Sequence, residues 1–173
     1  MNESAAIPET APSAFEIYRT KGTTPEIRLM VQVVLAGRRW RSVLDEHLRR
    51  MGQSSARLEA LAAIINSPAP SSQSDIARRL RIEGPTLTRM IDVLTADGLV
   101  ERRPAPADRR TKHLHVTEKG EQALEAMFAV VDPLRHRLVA HLSPGEIEQL
   151  AAMLGDLIGR LDGGLADTAG DRA

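Results

Sequence analysis

The chain has 173 residues, 42% of them apolar, which fits one globular domain or one core lobe with helical arms. It contains no cysteine, which excludes disulfides, cysteine-ligated zinc and switching by thiol oxidation. Its 23 basic and 23 acidic residues cancel, so a charged partner has to be met by a local patch and not by the global charge.

Residues 1–23 are small, polar and proline-containing and read as a flexible arm, in which Phe15 and Tyr18 offer the means to dock. The first residues lack a basic-then-apolar leader, and no apolar run reaches the roughly 20 residues of a membrane span. No membrane association and a cytoplasmic location are expected. Pro25 to Met51 is predicted as one long helix. Val33, Gly37, Trp40, Leu44, Leu48 and Met51 follow steps of four and three along it, a seam for packing against other helices. A second helix, Arg57 to Asn66, carries Leu58, Leu61, Ile64 and Ile65 and closes at Ser67-Pro68.

Residues 71–80 predict a short helix with Ile76, Ala77 and Leu80 inward, and Ser72 and Asp75 are spaced as a capping box. After only Arg81 to Gly84 comes another helix, with Leu87, Met90, Ile91 and Leu94 at helical spacing and Gly98 as its stop. Its outward positions are Thr86, Thr88, Arg89 and Asp92. Leu99 to Arg103 reads as a strand, Pro104 to Ala107 as a loop and Thr111 to Thr117 as a second strand, where Leu114 and Val116 alternate with His113 and His115. Helix, short turn, helix and arginine-tipped hairpin together make a winged helix-turn-helix, an arrangement suited to duplex DNA. Nine basic residues stand against five acidic ones between Arg78 and Lys112, a local charge of +4. From Ser143 onward six acidic residues face two arginines, leaving −4. A basic lobe and an acidic arm follow.

Glu118 to Leu142 carries Leu124, Met127, Val131, Leu134 and Leu138 on one side, with Pro133 inside the pattern expected to kink or break the helix. Ser143-Pro144-Gly145-Glu146 is a strong helix start, after which Ile147, Leu150, Leu154, Leu157 or Ile158, and Leu161 form a stripe ended by Gly163-Gly164. The stripes of the first and last helices are too extensive for so small a lobe to cover. An intertwined homodimer is therefore expected, reading a pseudo-palindromic site with two recognition helices about one helical turn apart. The fold is mainly α with a small β-hairpin wing. Its parts are a flexible arm (1–23), an N-terminal dimerisation helix (24–51), the winged helix-turn-helix lobe (52–117), C-terminal dimerisation helices (118–162) and a flexible tail (163–173).

Pro85-Thr86-Leu87-Thr88-Arg89 with Asp92 and Leu94, followed at the right distance by Asp108-Arg109-Arg110, resembles the recognition helix and D-x-R wing of the MarR family of bacterial transcription regulators. Trp40-Arg41-x-x-Leu44-Asp45 is similar to the first helix of that family's SlyA-like branch. The similarity runs from about Leu35 to Ser143, and the first two dozen residues have no counterpart in it. The resemblance implies a homodimeric regulator bound to double-stranded DNA, with Arg109 at the wing tip in the minor groove and Asp108 and Arg110 bracing the hairpin. Ser72, Thr86, Thr88 and Arg89 are the remaining candidate DNA-binding residues. Arginine forks onto guanine, and threonine offers a hydroxyl to phosphate or a methyl to thymine. Arg89 reads equally as a base contact, a phosphate clamp or the ion-pair partner of Asp92.

The five histidines, His47, His113, His115, His136 and His141, form no HExxH motif, and neither a nucleophile elbow nor a phosphate-cradling glycine loop is present. Neither catalysis nor a metal or other cofactor is expected. Arg38, Arg41 and Asp45 share a stripe beside Trp40, where an indole and guanidinium groups suit a planar aromatic carboxylate. The resemblance implies sensing of such acids in a cleft beside the first helix. The competing reading makes Trp40 core and pairs Arg41 with Asp45 along the helix. The resulting expectation is a repressor released by an anionic aromatic ligand. Its rivals are a constitutive DNA binder that competes with other DNA-coating proteins, and a winged-helix protein-interaction module.

Overall fold

The computed structural model describes residues 13–20, 22–67, 71–104 and 111–165. The wing residues Asp108, Arg109 and Arg110 lie outside them. The chain divides into two compact units, residues 1–56 and 57–173.

The first unit opens with a short helix, α1 (Ala14–Arg19), inside the segment expected to be a flexible arm. Its cause is local. The Glu16 carboxylate accepts the Ser13 N–H at 2.8 Å while the Ser13 hydroxyl accepts the Glu16 N–H at 3.2 Å, a reciprocal cap that satisfies two otherwise unpaired donors. The long helix follows as α2 (Pro25–Leu48), capped by Thr24, and tightens into a 3-10 turn over Arg49–Met51. Along the predicted seam Leu44 and Leu48 are buried and Trp40 half-buried. The N-terminal half of α2 exposes Leu29, Met30, Val31, Val33, Val34 and Leu35.

The second unit contains most of α3 (Ser55–Ile65), then α4 (Gln73–Leu80), α5 (Gly84–Ala96), the hairpin strands β1 (Val100–Pro104) and β2 (Lys112–Val116), α6 (Glu118–Val139) and α7 (Pro144–Asp162). Its core is formed by Leu61, Ile76, Leu87, Ile91, Leu94, Val100 and Met127, all essentially inaccessible. The strands pair antiparallel with Val100 opposite Val116, Arg102 opposite Leu114 and Pro104 opposite Lys112. Ser72 adds a bridge to His113, and the Leu114 N–H donates to the Ser71 carbonyl at 3.1 Å. The wing is thereby pinned to the start of α4.

Helix α6 runs unbroken through Pro133, so of the two outcomes expected there a break does not occur. The residues around the proline, Val131 and Leu134, are buried, and that packing holds the helix across the missing hydrogen bond. Where α6 begins, Gly120 meets the preceding chain so closely that a Cβ would lie 2.1 Å from the Leu99 carbonyl oxygen. Helix α7 starts with the predicted box between Ser143 and Glu146 and buries no side chain. Ile147, Leu150, Met153, Leu154, Ile158 and Leu161 are all exposed along it. No helix among the described residues is long and apolar enough to cross a membrane.

Candidate nucleic-acid interface

Helix α5 has two faces, as its periodicity requires. Leu87, Ile91 and Leu94 are fully buried, while Thr86, Thr88, Arg89 and Asp92 project from the exposed side. Glu83, its N-cap residue, makes no side-chain cap bond, and Pro85 in the first turn lacks an N–H to satisfy. Gly98 ends the helix with a φ of 73°, a left-handed turn that costs glycine little. The C-terminal carbonyl of Asp97 accepts the Lys119 ammonium at 2.8 Å, and the Asp97 carboxylate takes Arg57 of α3 at 2.6 Å. The C-terminal end of the helix is thus held by the lobe beneath.

The exposed side chains differ in what they already do. The Thr88 hydroxyl donates to the Gly84 carbonyl at 2.9 Å and accepts from the Gln73 amide at 2.5 Å, so its methyl is the part these bonds leave unused. Arg89 has no ion pair among the described residues. Asp92, its possible partner three residues on, is instead paired with Arg102 of β1 at 2.6 Å. That pair joins the recognition helix to the wing strand. Arg103 on the next residue pairs with Glu101.

Ser72 works within its own helix. Its hydroxyl donates to the Asp75 carboxylate at 2.6 Å, its N–H does so at 3.0 Å, and the hydroxyl also accepts the Asp75 N–H at 3.3 Å. The Ser72 hydroxyl and then its N–H hold the Asp75 carboxyl below the usual carboxylate range. A groove of about 300 Å³ lies beside this cap, lined by Ser72, Gln73, Ser74, Arg102, Thr111, Lys112 and Leu114. Sequence reasoning missed Gln73 and the bracing role of Arg102. The signals were present: Gln73 is the first residue after the Ser72 cap, and strand alternation puts Arg102 on the Leu114 side of the hairpin.

The candidate ligand residues Arg38, Trp40 and Arg41 lie on α2, the arginines exposed and the indole half-buried. Asp45, on the same stripe, accepts the Ser55 N–H at 2.7 Å and so serves the start of α3. Among the described residues no group of three or more His, Cys, Asp or Glu gathers at a site suited to a metal ion.

A buried-backed helix with an exposed threonine and arginine face, tied to a two-stranded wing, defines a winged helix-turn-helix protein. Residues 52–111 match the family model described as MarR family, so this lobe is similar to the lobes of that family. The chain is similar to the transcriptional regulator BldR from Sulfolobus solfataricus, at 25% identity and a TM-score of 0.71 over 78% of this chain and 95% of that one. It is also similar to a mutant E. coli MarR crystallised with operator DNA, at 26% identity and a TM-score of 0.68 over 76% and 94%. The S. aureus MepR–DNA complex shares the fold at 23% identity, with a TM-score of 0.71 over 80% and 99%.

Proposed function

We propose that this protein is a homodimeric, sequence-specific DNA-binding transcription regulator with no enzymatic activity. The observation that carries this reading is the exposed Thr86, Thr88 and Arg89 face of α5 over a fully buried Leu87, Ile91 and Leu94 face. A helix so arranged enters a major groove with its first two turns. The similarity to the E. coli MarR mutant solved with operator DNA supports it. Arg89 reads base edges, the groove beside Ser72 follows phosphate, and Arg109 reaches the minor groove from the wing tip, with Asp108 and Arg110 bracing it. The exposed apolar faces of α2 and α7 meet their equals in a second copy, which sets two recognition helices on one side of a pseudo-palindrome.

The protein acts as a repressor of its own or a neighbouring promoter. An aromatic carboxylate paired to Arg38 or Arg41 beside Trp40 releases it by favouring one spacing of the two heads. Placement in the SlyA-like branch rests on Trp40-Arg41-x-x-Leu44-Asp45. The test is a gel shift with genomic promoter fragments across a salt series. A sequence-selective complex whose affinity falls steeply with salt is expected. Binding without sequence preference, or insensitive to salt, sinks the regulator. A thermal-shift screen of benzoate- and salicylate-type acids tests the ligand: a stabilising acid that releases DNA and fails on Arg41→Ala supports it, and silence across the screen favours a constitutive binder.

A further inference from the structure

Arg81 is the corner of the helix-turn-helix, and its backbone is left-handed at a φ of 52°. That position usually takes glycine, because a Cβ there is crowded by the backbone. Its own helix end is satisfied in the ordinary way, with the Ile82 N–H donating back to the Ala77 carbonyl at 3.1 Å. The side chain reaches elsewhere. Its guanidinium forks onto Asp162, the last residue of α7, with Nε donating to Oδ1 at 2.9 Å and Nη2 to Oδ2. The two residues are 81 positions apart. Within its own protomer no residue of α7 is fully buried, so packing inside the protomer does little to orient it on the head, and contacts with a second copy do not tie it to Arg81.

We infer that the Arg81–Asp162 fork is a positioning strap that sets the angle between the reading head and helix α7, and through it the spacing of half-sites that the dimer accepts. Both side chains are half-exposed, so the pair contributes little to stability. A two-pronged guanidinium–carboxylate bond nevertheless fixes direction as well as distance, which a point charge does not. This assignment rests on the dimeric DNA-binding reading for its consequence, but not for its geometry.

Two measurements on the full chain separate these levels. The absence of cysteine allows clean spin labelling at Ala96→Cys on α5 and Gln149→Cys on α7, both exposed, with labelled protein diluted into unlabelled. The wild type is expected to give one narrow distance distribution, Arg81→Gly and Asp162→Asn broad ones, and the charge-swapped pair Arg81→Glu with Asp162→Arg a narrow one again. Arg81→Gly is the informative variant, because glycine regains in the left-handed region what the exposed ion pair loses, and the protein stays folded. Unbroadened distributions in both single variants overturn the strap, and broadening in Arg81→Gly alone overturns the pairing with Asp162. The second measurement takes the duplex that the wild type selects from random sequence and inserts two base pairs between its half-sites. The wild type should lose more than about tenfold in affinity, the equivalent of about 1.4 kcal/mol, and the strap variants much less. Failure of the wild type to select any sequence defeats the regulator reading while the distance measurement still decides the strap.

Discussion

Arg89 and Arg102 are both arginines on the candidate DNA face, and their neighbours give them different work. Arg102 is paired with Asp92 and braces the wing, whereas Arg89 has no such partner among the described residues and is available to a base edge. Arg89→Ala is expected to cost roughly 1–3 kcal/mol at particular base pairs and leave other positions unaffected, as measured by binding to a panel of single-substituted duplexes. A uniform loss across the panel makes Arg89 a phosphate clamp. Thr88 presents a subtler case, since its hydroxyl already serves Gly84 and Gln73. Thr88→Val keeps the methyl and hands the exposed Gln73 amide to water. It should change the thermal midpoint by the equivalent of no more than about 0.5 kcal/mol while preserving any thymine preference. Spacing and alternation sufficed to place Thr86, Thr88 and Arg89 outward. They were silent on the Gln73–Thr88 and Asp92–Arg102 pairings, because in each the partner comes from another helix or strand.

Elements are held here by caps and by one close approach. Gly120 leaves no room for a side chain against the Leu99 carbonyl, so Gly120→Ala forces α6 away from the chain just before β1, at the root of the wing. A loss of about 1–3 kcal/mol in denaturant unfolding is expected. Gly145→Ala, at a glycine with open space around it, should be close to neutral in the same assay. The helix caps have a pH signature. Hydrogen bonds from Ser72 to Asp75, from Ser143 to Glu146 and from Arg81 to Asp162 hold all three carboxyls below their ordinary values. A carboxyl whose folded pKa is depressed stabilises the fold above its unfolded pKa and loses that contribution as pH falls through the folded value. Their contribution should therefore be constant from pH 7 to about 5, begin to fall near pH 4, and be gone only once pH has passed the depressed folded values. Asp75→Asn should flatten the acid side of a thermal-midpoint profile, and an unaltered slope counts against the cap's role.

At the scale of the whole molecule, the apolar residues left outside are as informative as those within. A helix of 19 residues with none fully buried, and with Leu150, Met153, Leu154 and Ile158 exposed, presents the kind of apolar stripe that marks an interaction surface. The wild type is expected to sediment as a dimer at micromolar concentration. Leu154→Glu should convert it to a monomer that keeps its helical content and loses operator affinity. A wild-type monomer that still binds the full operator removes the dimer from the account. A weak monomeric half-site complex agrees with it, since each head carries its own reading helix.

Periodicity and end signals in the sequence by themselves determined the order and type of elements. Helical spacing marked Leu87, Ile91 and Leu94 as inward, Gly98 and the Ser143 box marked helix ends, and two short alternating runs marked the wing. These features are local, so neighbouring residues contain the information. The helix at Ala14–Arg19 is legible by the same rule, through Ser13 and Glu16, but it sits in a segment whose composition suggests a flexible arm. Only the tertiary structure decided that α6 passes through Pro133, that Asp92 serves Arg102 instead of Arg89, that Gly120 abuts Leu99, and that Arg81 reaches Asp162. Each depends on groups far apart in the chain, from 10 positions for Asp92 and Arg102 to 81 for Arg81 and Asp162, or on how neighbouring side chains pack. Such contacts depend on how the core around Leu61, Ile76 and Met127 brings distant segments together, and no periodicity in a linear sequence encodes which of several opposite charges then stand face to face.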